Sequence, residues 1–428
     1  VIVGRARARP RALALAIVLA GILVLLALPV AWARPPLTIT VLMPAPFAEA
    51  TADTVAAFNR DHRRLRIAVA RGPFETEAVS DLAISSLLLG DSPYDLLMMD
   101  VTWTAKYAAA GWLLPLDDWL DGDPLVDVVP GAREGNRLDG QLWRLPMLAS
   151  MGLLYWRTDL MAAPPRTPAE LVDRSKELQE QGLVRWGYVW QGRQYEGLSC
   201  VFLEVLRGFG GQWGGAAASG IGLDSPQAAA AASWLRQLVE TGVTPASVAD
   251  FAEPESLQAF ASGEAAFMRN WPYAWKELQK PGSAVAGKVA ITTMVAEPGQ
   301  SPAATQGSWG LSVLRGSAHP AEAVAVLQAL TGEQSQRRLA RDWGYTPTLA
   351  SLFDDPELRA ALPLLPALRQ ALEVAALRPI TPVYAQLSDI LQRQLSDAIT
   401  GGTAPEVAMG RAGRSSRAVL NASGVEAV

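Results

Sequence analysis

The chain of 428 residues has almost nothing with which to do redox, metal or disulfide chemistry. Its one cysteine, Cys200, excludes an intrachain disulfide and any cysteine-cluster metal site. Two histidines, His62 and His319, are too few for a histidine-rich catalytic metal, and nothing in the sequence calls for a cofactor. Lys and Arg number 37 against 42 Asp and Glu, a formal net charge of −5, so the basic footprint of a dedicated nucleic-acid binder is missing. Charged residues are only 18% of the chain and hydrophobic ones 50%. That balance is globular and excludes a disordered, collagenous or coiled-coil chain. No repeat of fixed period occurs. After residue 33 no apolar run is long enough to span a bilayer. The length is ample for two ordinary cores.

The N-terminus does carry a long apolar run. Arg5, Arg7, Arg9 and Arg11 precede 22 uncharged residues, Ala12 to Ala33, and Ala31-Trp32-Ala33 has a small-x-small pattern. This is the layout of a secretory leader cleaved after Ala33, with an uncleaved membrane anchor as the alternative. Removing residues 1–33 takes four arginines and no acid, leaving a net charge of −9. The remainder is expected to be exported and periplasmic, standing without staples on the strength of its cores.

Past the leader, strand and helix patterns alternate. Leu37 to Met43, Leu65 to Val69, Tyr94 to Met99 and Gly152 to Trp156 read as strands, as do Val289 to Val295 and Gly310 to Leu314. Helical patterns cover Thr51 to Arg60, Asp81 to Leu89, Thr104 to Ala110, Ala321 to Leu330 and Asp389 to Ile399. Thr167-Pro168-Ala169-Glu170 opens a helix with a capping box, and Ser225-Pro226 opens another that Gly242 stops. The alternation predicts an α/β fold with a largely parallel sheet. The glycine-rich stretch Gly208 to Gly220 predicts a loop, and the small polar tail from Gly410 predicts loose order.

Enzyme signatures are weak. Gly208-Phe209-Gly210-Gly211 lacks the Gly-Lys-Ser/Thr ending of a phosphate loop, and no nucleophile elbow occurs. Asp100, Glu196 and Glu264 are candidates for a glycosidase carboxylate pair, whose spacing is three-dimensional and cannot be read from sequence. The aromatics say more. Among 14 tryptophans, Trp103, Trp190, Trp271 and Trp309 stand at element ends beside polar residues. A sugar offers an apolar C–H face for an indole and a hydroxyl rim for carboxylate, guanidinium and amide groups. Core packing is the competing reading for each tryptophan taken alone.

Five stretches give the pattern an identity. They are Asp95-Leu-Leu-Met-Met-Asp100-Val-Thr-Trp103, Trp186 to Gly197 with Trp190-Gln-Gly, Arg269-Asn-Trp-Pro-Tyr-Ala-Trp275, Ala304-Thr-Gln-Gly-Ser-Trp-Gly310, and Arg378 to Ser388. In order and rough spacing they resemble the trehalose/maltose-binding branch of the extracellular solute-binding proteins of carbohydrate ABC transporters. The resemblance implies a two-lobe, type II periplasmic-binding fold with a hinge and an interlobe cleft. It puts residues 37–145 and 303–346 in the N-terminal lobe, and 146–302 with 347–428 in the C-terminal lobe. It implies a monomer that binds a sugar and docks on permease subunits of the inner membrane, without catalysis.

The resemblance also implies a site. Asp100 is the hydroxyl acceptor of the first lobe, and Trp271 and Tyr273 line the cleft from the second. Gly307 and Ser308 form a close-approach loop, Trp309 a stacking ring, and Arg378 a hydroxyl-binding guanidinium. The loop Pro44 to Thr51 faces the ligand with Glu49 as its acid. Tyr195 and Glu196 lie in a motif whose role is structural or functional. Two positions depart from the family pattern: Ser150 stands where an acid is expected, and an arginine is missing near Ser80. Both bear on the second sugar unit. They weaken the expectation of trehalose or maltose itself and make a glucoside with a smaller or differently arranged second part, such as glucosylglycerol, a serious candidate within the α-glucosides that include trehalose. A secreted glycosidase and a chemosensory sugar receptor are the alternatives.

Overall fold

The computed structural model describes residues 35–90, 92–214 and 221–424. The leader expected over residues 1–33 lies outside the described residues, as does the end of the glycine-rich stretch. In chain order come the strands β1 (Leu37–Met43), β2 (Leu65–Arg71), β3 (Leu96–Asp100), β4 (Leu145–Leu148), β5 (Leu153–Arg157), β6 (Trp186–Val189), β7 (Ala265–Asn270), β8 (Val289–Thr292) and β9 (Trp309–Val313). Helices used below are α1 (Ala45–Ala50), α2 (Ala52–Asp61), α3 (Thr76–Leu88), α4 (Glu196–Gly208), α5 (Glu253–Ala261) and α6 (Tyr384–Ile399).

Two sheets make two lobes. The first has the order β2-β1-β3-β9-β4 and the second β8-β5-β7-β6. All five residues of β3 are buried, as expected of a strand covered on both faces. The β1–β2 and β1–β3 pairs are parallel, but β9 runs antiparallel to both β3 and β4. In the second sheet only β6–β7 is parallel. The largely parallel sheet predicted from the alternation is therefore corrected to two mixed sheets. The cause is the path of the chain: β9 re-enters the first lobe from the second, so it arrives running against its neighbours.

Three segments cross between the lobes. Around Ser150 and Gly152 the chain pairs with the segment at Thr305 to Gly307, through Gly307 N to Ser150 O (2.8 Å) and Gly152 N to Thr305 O (3.2 Å). A short parallel ladder joins Ala304–Thr305 to Ala375–Ala376. An apolar cluster runs from Ile39, Val41 and Val313 through Met151 to Tyr155 and Met268, so the core continues through the crossings.

Local signals account for many boundaries. Thr167 Oγ1 accepts from Glu170 N (3.1 Å) and Ser225 Oγ from Ala228 N (3.1 Å), each ahead of a proline in the first turn. Three expectations change. Pro44 to Thr51 is not a loop: α1 and then α2 begin there. The tail is not loose: Pro405–Ser423 is a helix whose Ala408, Met409, Ala412 and Gly413 are buried against its neighbours. Small residues that look like loop composition are what permit this close packing, and Arg417 pins the helix to Asp224 (2.6 Å). Finally, residues 349–373, expected with 347–428 in the second lobe, also pack on the first. Leu349 bridges Val128, and Leu372 presses on Gly131, because the apolar face of Leu365–Glu373 meets Val128, Val129 and Ala132.

Candidate functional site

The C-terminal ends of β1, β2 and β3 meet the crossing segments and the start of α4 around a cleft of about 500 Å³. Its position, where parallel strands end and two lobes face, is where open α/β sheets place ligands.

Asp100 closes β3 and stands opposite Trp309 in the ladder. Its Oδ1 accepts from the Thr102 amide (2.9 Å) and hydroxyl (2.8 Å), which turns the chain into the next helix. Arg378 Nη2 donates to both Asp100 oxygens (2.9 and 3.0 Å) and to Gln306 O (3.2 Å). Its Nη1 donates to Glu196 Oε1 (2.6 Å). Glu196 also accepts from the Tyr384 hydroxyl and from Ser388 Oγ (2.7 Å), which ties it to α6. Burial opposes the Arg378 charge, but Asp100 and Glu196 outweigh it and push its pKa well above the usual arginine range. Arg378 thus joins a first-lobe carboxylate to a second-lobe carboxylate, while its Nε has no partner among the described residues. Behind it, fully buried Arg144 makes one hydrogen bond among the described residues, to Ser308 O (3.4 Å), and burial pulls its pKa down to about 10 against the pull of Asp100.

Aromatic rings wall the cleft on both sides. On the first lobe Trp309 packs against Phe47 (centroids 5.0 Å) and edge-on to Trp103 (5.5 Å), and Phe47 also meets Tyr345 (5.4 Å). On the second lobe the Arg269 guanidinium lies 3.9 Å from the centre of the Trp271 ring. Trp271 Nε1 donates to Glu253 Oε1 (2.9 Å), and the Tyr195 hydroxyl donates to Glu253 Oε2 (2.8 Å). Glu253 at the start of α5 therefore fixes both rings. Gly307 is needed for approach: a Cβ there would sit 3.0 Å from the Trp271 indole. Tyr273 faces Tyr345 from across the cleft (6.4 Å).

Of the residues expected at the site, Glu49, Asp100, Ser150, Trp271, Tyr273, Gly307, Trp309 and Arg378 all line this cleft. Ser308 does not. It is fully buried, accepts from Gln306 Nε2 (3.2 Å), and through its carbonyl from Val101 N (3.0 Å), so it fixes the crossing segment. Ser80 also turns away from the cleft, toward the Tyr107 hydroxyl (3.3 Å). The stretch Trp190-Gln-Gly is internal: Gln191 binds Arg269 Nη1 (3.1 Å) and Ser256 (2.6 Å) beneath Trp271.

Sequence reasoning missed Phe47, Arg71, Glu77, Arg193, Glu253, Trp343 and Tyr345, which line the cleft as well. Arg71 had a usable signal, since it ends a parallel strand as Asp100 does. It is exposed and in no ion pair among the described residues. The arrangement suits a neutral polyhydroxylated ring held by faces and rim. It does not suit glycoside cleavage: Asp100 and Glu196 are both bound to Arg378, and Glu264 is exposed away from the cleft.

Residues 46–337 match the family of bacterial extracellular solute-binding proteins. A probable ABC transporter-binding protein of Deinococcus radiodurans is 34% identical over 349 residues, 79% of this chain and 82% of that one. A maltotriose-binding protein of Pyrococcus abyssi is 24% identical over 68% of this chain and 62% of its own. Among solved structures, maltose-bound T. maritima MalE3 superposes with a TM-score of 0.83 at 31% identity, covering 90% of this chain and all of that one. The GacH receptor of Streptomyces glaucescens shares the fold at 22% identity, with a TM-score of 0.81 and coverage of 90% and 100%. With the family match over most of its length and the maltose-binding-protein-like fold, the chain belongs to the bacterial extracellular solute-binding proteins, a family of binding proteins and not of enzymes.

Proposed function

We propose that this protein is the substrate-binding component of an ABC sugar importer. It takes an α-glucoside into the interlobe cleft, closes on it, and hands it as a monomer to permease subunits at the membrane. One observation carries the reading. Asp100 and Arg378 meet on the floor of a cleft walled by Trp309 on one lobe and Trp271 on the other. A pyranose between those rings can give two hydroxyls to Asp100, and closure excludes water and strengthens each bond. The maltose carried by the T. maritima structure and the name of the P. abyssi relative support a glucoside.

The second sugar position is narrower in chemistry. Ser150 faces the cleft with a hydroxyl in place of the family's acid, and Arg71 is the guanidinium at hand. This favours a glucoside with a small second part, such as glucosylglycerol, over a disaccharide such as trehalose or maltose. Titration calorimetry against trehalose, glucosylglycerol, sucrose and maltose tests it. Tightest binding to maltose refutes the small-glucoside assignment, and no heat with any of the four refutes the sugar reading.

A further inference from the structure

Among the described residues of this acidic chain, four arginines gather on one face. Arg60 ends α2, Arg63 and Arg64 form the bend that follows, and Arg66 stands on β2. All four are exposed, and none enters an ion pair among the described residues. The acids of the same stretch are Asp53, at the far end of α2, and Asp61. Several arginines elsewhere are matched, Arg174 with Glu177, Arg236 with Glu240, Arg341 with Asp342 and Arg417 with Asp224, and exposed ones without an ion pair, such as Arg71 and Arg185, are not gathered four within seven residues. β2 is the outer strand of its sheet, so the face is open.

The position of the incoming chain says what this face meets. Leu37 N donates to Arg64 O (2.9 Å), and Thr38 pairs with Arg66. The described structure begins at residue 35, two residues past the uncharged run Ala12 to Ala33. If that run is retained as a membrane anchor, three residues, 34–36, separate it from β1, a reach from residue 33 to residue 37 of at most roughly 14 Å. That is of the order of the Debye length of about 8 Å at physiological salt. We propose that Arg60, Arg63, Arg64 and Arg66 form a contact surface for an anionic phospholipid membrane. The parallel strands β1 and β2 start at this face and end at the cleft, roughly 20 Å away for seven residues. Lipid contact therefore leaves the cleft open to solvent, so that a membrane-held protein can still collect ligand.

The test is co-flotation of the purified protein with vesicles of phosphatidylcholine alone or of equal parts phosphatidylcholine and phosphatidylglycerol. Wild type is expected to favour the anionic vesicles at least about tenfold at low salt, and to lose that preference at 1 M salt. The quadruple variant R60Q/R63Q/R64Q/R66Q, whose N-terminal segment is unchanged, is expected to bind both vesicles alike while keeping wild-type sugar affinity. The four-lysine version keeps the lipid preference and covers the case in which the glutamine variant misfolds. A wild type with no preference overturns the proposal, since arginines that only guard an edge strand need no lipid. So does a preference that survives the four glutamines or that lysines fail to restore. Sugar titration is independent of each of these outcomes.

Discussion

Asp100 already accepts from Arg378 and from the Thr102 amide and hydroxyl, so a substitution there touches ligand and fold together. Asp100→Asn keeps the acceptor for Thr102 and removes the charge. With two charge-assisted hydroxyl contacts weakened, sugar affinity is expected to fall roughly 10- to 100-fold in calorimetry, with a modest change in melting temperature. Asp100→Ala takes away half of the counter-charge of buried Arg378 and is expected to cost about 3 kcal/mol of stability as well. If the alanine variant melts like wild type, the Asp100–Arg378 pair is not a structural tie. Gly307→Ala tests the opposite wall: its Cβ would lie 3.0 Å from the Trp271 ring, which Glu253 and Arg269 hold in place. Affinity is expected to drop at least about tenfold from a misplaced ring, and unchanged binding would take Trp271 out of the site. The residues that proved legible in the sequence share one trait, an uncommon type at an element end. Glu253 was not legible because its partners Trp271 and Tyr195 are 18 and 58 residues away. Ser308 misled because a serine beside a stacking ring looks like a hydroxyl donor, whereas packing turns it inward.

At the scale of elements, the buried pair Arg269–Glu204 joins β7 to α4 beneath the cleft. Neither side chain is exposed, the contacts are 2.5 and 3.0 Å, and Glu204 Oε1 also accepts from Thr305 N (3.2 Å) at the hinge. Glu204→Gln leaves Arg269 a buried cation without its counter-charge. The expected cost is about 3–5 kcal/mol, read as a lower denaturant midpoint with an unchanged slope. A loss below about 1 kcal/mol would mean that Gln191 and the Trp271 face satisfy Arg269 by themselves. Elements with a periodic face and a cap were readable: β1 and the Thr167- and Ser225-capped helices begin where their residues say. β6, β7 and α4 escaped because they are buried nearly all round, which erases the alternation that marks a strand or a helix face. The helix Pro405–Ser423 escaped for the reverse reason, since its buried face is made of alanine, glycine and serine and shows little contrast in hydropathy.

For the whole molecule, polar contacts on either side of the Asp100–Arg378 pair also join the lobes. On one side Glu75 pairs with Arg193 (3.1 Å), and Glu77 Oε1 accepts from Glu196 N (3.0 Å), so a first-lobe carboxylate caps the start of second-lobe α4. On the other, Lys276 Nζ donates to Arg341 O. The N-cap position Tyr195 offers no side-chain acceptor of its own, so α4 has its capping carboxylate only while the lobes are together. Loss of a cap costs about 1 kcal/mol, so Glu77→Ala is expected to weaken sugar binding about fivefold, chiefly through faster dissociation. The pH dependence has a definite sign. Although Glu77 keeps an exposed surface, the protein around its carboxyl strips water from it and, with the nearby Glu196 and Glu75 charges, raises its pKa above the ordinary glutamate value, while backbone contacts pull the other way. A carboxyl whose pKa is raised on closure takes up a proton as the lobes meet, so closure gains as pH falls toward that pKa and loses as pH rises through it. Sugar affinity is therefore expected to increase modestly from pH 7 to pH 5. Glu77→Gln, which keeps an acceptor for Glu196 N and cannot titrate, is expected to flatten that slope. Affinity that falls between pH 7 and 5, or a slope that survives the glutamine, would show that Glu77 does not sense closure.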